Sequence, residues 1–125
     1  MGEDDRAALE RLLREYDRPT ERSRVPLLDA MEEHGGIDEA HRLAESADPG
    51  ERRTAARLML LLPDESHLPW LERLVRDPDE AVARRACRAL AEQVRTPAWR
   101  AAVERLAAGP DPALRAEAAR WLSGR

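Results

Sequence analysis

Histidines, a lone thiol, three tryptophans and a set of recurring arginines are the residues of this chain that invite a chemical reading. His34 and His41 flank Asp38 across a Gly35-Gly36 break, and His67 stands apart. A metal centre needs ligands converging at fixed spacing, and no cysteine or further carboxylate completes one here. The three histidines are expected at the surface, and an acid–base site of Asp38 with His34 and His41 finds no further support. None of the four serines, Ser23, Ser46, Ser66 and Ser123, lies in a nucleophile motif. No glycine-rich loop leads into a helix as a phosphate cradle requires. Glu32 and Glu33 adjoin in sequence and so diverge on a helix. The expectation is no catalytic residue, no metal, no cofactor and no enzyme.

The arginines behave differently. Arg53 and Arg84 lie 31 residues apart, as do Arg57 and Arg88, and Arg120 follows Arg88 after 32. Side chains that recur at one interval imply a unit that recurs at that interval. A period of this size marks stacked helix pairs.

The unit is legible around three aspartates, Asp48, Asp79 and Asp111. Seven residues after each stands an alanine: Ala55, Ala86, Ala118. Eight after stand Ala56, Cys87 and Ala119, and eleven after stand Met59, Leu90 and Leu122. Five before each is a leucine: Leu43, Leu74, Leu106. These columns follow helical spacing and give each helix one apolar face. Small residues in the alanine columns let neighbouring helices approach closely. Trp121 shares a column with Leu58 and Ala89 and reads as core, while Trp70 and Trp99 fall near the starts of their units' first helices.

Composition agrees. Ala, Leu, Arg and Glu dominate, there is no Phe and only one Ile, at position 37, and the 21 basic residues are all arginine. Good helix formers in that proportion predict an all-α fold without a sheet. A single Cys87 excludes an intramolecular disulfide and reads as a small core residue. No apolar run approaches the ~20 residues that span a bilayer. The acidic start MGEDDRAALE has no basic-then-apolar leader, so the expected location is the cytoplasm.

In order along the chain, a first helix is expected from Asp4 to about Tyr16, ended by Arg18-Pro19-Thr20. A less regular segment follows, in which Pro26 opens or kinks a helix. The spacing then predicts helices over 37–46, 48–62, 67–76, 79–94, 97–108 and 111–122. Asp48-Pro49 supplies a cap and a first-turn proline together. The domain reading is a single unit over 1–125. It comprises a divergent cap at about 4–34 and units at 37–62, 65–94 and 97–122.

The stretches DPGERRTAARLM, DPDEAVARRACRAL and DPALRAEAARWL resemble the short, bacterial type of HEAT-like repeat. The resemblance covers about residues 37–122. It implies an α-solenoid of about four stacked antiparallel helix pairs, a HEAT-like superhelix. It also implies that an arginine four residues after the capping aspartate bridges neighbouring units. Arg52 and Arg115 fit that pattern, while Ala83 departs from it in the third unit. Second helices usually line the concave side of such stacks, so the resemblance places the recurring arginines there.

Most such repeats are protein-binding scaffolds; a minority resemble DNA-alkylation-repair glycosylases or chromophore lyase subunits. The glycosylase reading needs a tryptophan beside an aspartate to hold a flipped base. A net charge of −4 argues against a nucleic-acid surface. Charge is uneven: residues 1–47 hold 7 arginines and 13 acids, net −6, and residues 48–125 hold 14 and 12, net +2. The expected function is a protein-interaction module, an adaptor, regulatory subunit or immunity-type inhibitor. Its partner, a protein with an acidic segment, binds Arg53, Arg57, Arg84, Arg88 and Arg120. A second expectation is an uncovered association edge at Ala118, Trp121 and Leu122, able to dimerise. Nucleic acid and membrane are not expected partners.

Overall fold

Every helix begins with backbone N–H groups that its own turns do not satisfy, and here aspartate or threonine side chains supply acceptors at several of these starts. In a computed structural model that describes residues 3–124, Asp48 Oδ1 accepts from Gly50 N at 3.0 Å and Asp79 Oδ1 from Val82 N at 3.0 Å. Asp111 Oδ1 accepts from Ala113 N at 3.0 Å, and Thr96 Oγ1 from Trp99 N at 3.1 Å. These caps fix the starts of four helices: α4 (Pro49–Leu61), α6 (Glu80–Ala91), α7 (Pro97–Ala107) and α8 (Pro112–Leu122). Upstream lie α1 (Glu3–Asp17), α2 (Val25–Glu33) and α3 (Gly36–Ala44). A 3₁₀ turn over Glu65–His67 leads into α5 (Leu68–Leu74). Met1 and Gly2, part of the leader reading, and Arg125 lie outside the described residues.

The helices pack in pairs: α1 with α2, α3 with α4, α5 with α6, α7 with α8. The second and third repeat units join chiefly through α4 against α6, and the third and fourth through α5 against α7. One continuous apolar core runs from Leu9 to Trp121 and includes Ala55, Ala86 and Ala118. Met59 and Leu90 are fully buried, and Leu122 is half-buried. Along the neighbouring column burial falls, from buried Ala56 through half-buried Cys87 to exposed Ala119. At the α2–α3 corner Gly35 has φ 73°, which an L side chain rarely adopts. A Cβ on Gly36 would sit 2.6 Å from Leu62 Cδ1 and 2.9 Å from Met31 O, so only glycine lets α3 pass there.

The helix ends differ from expectation in one informative way. Helix α6 stops at Ala91 rather than Val94, because Gln93 turns inward. Its Nε2 donates to Ala89 O and Met59 O, both at 3.0 Å, and its Oε1 accepts from Asp64 N at 3.1 Å. Trp99 Nε1 donates to Leu90 O at 2.9 Å. His67 Nε2 donates to Leu62 O at 2.6 Å. The carbonyls at the ends of α4 and α6 are thus closed by buried side chains from the following elements.

Candidate partner-binding face

The recurring arginines do not form one uniform row. Arg57 is paired with Asp17 at the end of α1, which holds that carboxyl below its usual range. Arg53 lies 3.7 Å from Asp79, the cap of α6. Arg120 is paired with Glu117 on its own helix, and α8 packs mainly on α7. Arg84 and Arg88 are exposed and have no ion pair among the described residues.

Helices α4 and α6 lie side by side and bring three arginines to one hollow. Arg57, Arg85 and Arg88 line it over Ala56 and Leu60, in a volume of about 100 Å³. Arg85 was not visible as part of the pattern. Its column holds Thr54 and Glu117 in the neighbouring units, so a search for recurring residues passes over it.

The expected open edge is corrected at two of three positions. Ala118 is 0 % and Trp121 8 % exposed, because both side chains join the common apolar core, with α8 packed mainly on α7. Leu122 remains half-exposed.

Surface placement is corrected for one of the three histidines. His67 is fully buried, and its Nδ1 accepts from His41 Nε2 at 2.8 Å. That polarity follows from the bond of His67 Nε2–H to Leu62 O. His41 stacks on Trp70 at 5.6 Å between ring centroids, and the Arg73 guanidinium lies over the Trp70 ring, 5.0 Å from its centroid. Burial lowers the pKa of His41, against the nearby charges of Asp38 and Asp64. Burial lowers that of His67 too, although its bond to Leu62 opposes this. His34 instead pairs with Asp5 at 3.0 Å, so His34 and His41 serve different contacts. Sequence spacing could not bring His41 to His67, since they sit 26 residues apart on different units.

Two of the tryptophans are core residues, Trp99 at 1 % and Trp121 at 8 % exposure, so neither stands in a cleft beside a carboxylate as a base-flipping site requires. The thiol of Cys87 is half-buried, and burial raises its pKa, with Glu117 and Asp111 acting in the same direction. It therefore stays protonated at neutral pH and is a poor nucleophile.

The joint between units carries the other organised polar group. Arg52 donates from Nη1 to the carbonyls of Ser46 and Ala47 at 2.9 and 3.0 Å. Its Nε and Nη2 take both oxygens of Asp77 in the next unit, at 2.7 and 3.1 Å. Burial raises the Asp77 pKa, but the Arg52 fork and the N–H of Asp79 together outweigh it and the carboxyl lies below its usual range. Arg115 makes the same two carbonyl bonds, to Gly109 and Pro110, at 3.0 and 3.2 Å.

No helix among the described residues is long and apolar enough to cross a membrane. No curated protein and no solved structure matches the chain. A family model of HEAT repeats matches residues 37–123, which contain the three capped second helices, their partners and the Arg52–Asp77 joint. With paired helices, a repeated cap and a family match over most of its length, the chain belongs to the HEAT-repeat family.

Proposed function

We propose that this chain is a non-catalytic protein-binding module, an adaptor, regulatory subunit or inhibitor, that takes an acidic segment of its partner on the α4–α6 face. HEAT repeats are typically protein-interaction scaffolds. The observation that carries the finer reading is the hollow where Arg57, Arg85 and Arg88 meet over Ala56 and Leu60. A guanidinium fork suits a carboxylate, and Arg85 and Arg88 have no ion pair among the described residues to compete with one. Arg57 is shared with Asp17, and Arg84 extends the basic strip along α6. Arg53 and Arg120, each beside a carboxylate of this chain, flank the strip. The first helix pair belongs to the same domain as a divergent end unit, since Leu9, Leu12, Leu13 and Met31 join the common core. The proposed setting is the cytoplasm, where a lone protected thiol such as Cys87 suits a reducing medium.

A fluorescein-labelled ten-residue oligoglutamate tests the reading. It should bind the wild-type chain at low salt, weaken as salt rises, and lose at least about tenfold in affinity with R85E/R88E. Both positions are exposed, so the double variant should melt as wild type. Equal affinity of a folded R85E/R88E variant would reject the face.

A further inference from the structure

Between α1 and the α3–α4 pair lies a cleft of about 270 Å³. Its floor is apolar, made of the buried leucines Leu9, Leu13, Leu43 and Leu58. Its rim carries the carboxylates of Glu10, Glu39, Asp48 and Glu51 against the one guanidinium of Arg6. Helix α1 packs chiefly on α2 and is fastened to α4 by two ion pairs, Arg6 with Glu51 and Asp17 with Arg57.

The four carboxylates are not equally engaged. Glu39 is held by Arg42, and Glu51 by Arg6 and the Ser46 hydroxyl. Among the described residues Glu10 has only Arg6, at 3.6 Å. Asp48 accepts from the N–H of Gly50 and has no ion pair among the described residues. Negative charge that is only partly met therefore stands above an apolar floor. This is the complement of a molecule with a cationic head and an aliphatic chain. The volume lies just below the ~300–1,000 Å³ of pockets for drug-sized ligands, which suits a short linear molecule.

We propose that this cleft binds a short-chain primary alkylamine, its ammonium between the Glu10 and Asp48 carboxylates and its chain on the leucine floor. The ammonium offers three donors, and charge-assisted bonds to carboxylates are the stronger kind. A carboxylate ligand is repelled by the rim. An alcohol of equal length gains the floor without the rim. The arginine hollow on the α4–α6 face has no part in this binding.

The test titrates the full chain with n-butylamine, n-hexylamine, 1-hexanol and hexanoate at pH 7, followed by ¹⁵N–¹H spectra. Both amines should shift amides within residues 6–13 and 43–58. Affinity should rise about fourfold per added methylene, the equivalent of about 0.8 kcal/mol. Hexanol should bind at least about tenfold more weakly than hexylamine, and hexanoate should not saturate. The E10Q/D48N variant retains a helix cap, since asparagine also accepts from the first N–H groups. It should melt as wild type and bind hexylamine no better than hexanol. Equal binding of hexylamine and hexanol by the wild-type chain would overturn the proposal, as would shifts confined to other helices. Unchanged hexylamine binding by folded E10Q/D48N overturns it too. A lysine-containing octapeptide that binds more tightly than hexylamine would give the cleft to a protein side chain and overturn the small-amine reading.

Discussion

Among the described residues, Gln93 and His67 are the two buried polar residues of the core, and both are used to close carbonyls at helix ends. Gln93→Leu keeps the volume but leaves Met59 O and Asp64 N without their partner. Leaving buried polar groups unmade costs about 1–3 kcal/mol, so the urea midpoint should fall accordingly. A midpoint equal to wild type would show that water serves these groups instead. His41 and His67 make the stability depend on pH. Both have pKa values lowered by burial, so the folded chain binds fewer protons than the unfolded chain below the ordinary histidine value of ~6.5. Their contribution is therefore full above that pH and lost as the pH falls through the lowered values. The carboxyls of Asp17, Asp64, Glu72 and Asp77 are also lowered, but their contribution disappears only below the carboxylate range. Urea midpoints between pH 7.5 and 5.5 should fall, and His67→Gln should flatten that slope. A flat wild-type profile would contradict the buried pair. None of this was legible beforehand. A column analysis finds residues that recur. His67 and Trp99 share a column, twelve residues before Asp79 and Asp111, but differ in residue type and close different carbonyls, and Gln93 stands in another column, so no recurring residue marks this role.

At the scale of the element, the aspartate caps were legible and their placement held, because a cap is a local interaction of a side chain with N–H groups two or three residues on. The apolar columns held for the same reason at Ala55, Ala86, Ala118, Met59 and Leu90. The outer ends of the helices were less legible, since α6 is shortened by a side chain that reaches across to α4. The joint between units shows how far local geometry is reused. Arg52 and Arg115 grip equivalent loop carbonyls, but only Arg52 also holds a carboxylate of a following unit, Asp77, which is 8 % exposed. Arg52→Ala strands that carboxylate and should lower the melting temperature by roughly 5–10 °C. Arg115→Ala removes only exposed carbonyl bonds and should leave the melt within about 2 °C of wild type. Equal effects of the two changes would mean that the ion pair adds nothing to the joint.

For the whole molecule, the uneven charge acquires a structural sense. The acidic first part supplies Asp17 to Arg57 and Glu51's neighbour Arg6 to α4, so the end unit is tied to the stack partly by charge. It leaves the net positive remainder, with Arg84, Arg85 and Arg88 on α6, facing outward. The recurring arginines were legible in the sequence; the hollow of the proposed face was not, because Arg85 recurs in neither neighbouring unit and the pairing of Arg53, Arg57 and Arg120 with Asp79, Asp17 and Glu117 follows no single spacing. The measurement that tests the binding face most directly is a ¹⁵N–¹H map of the chain with the oligoglutamate peptide. The account predicts shifts concentrated in residues 53–60 of α4 and 81–91 of α6, fading as salt is raised. Shifts concentrated instead in the first helices α3, α5 and α7, or spread evenly over the chain, would contradict it.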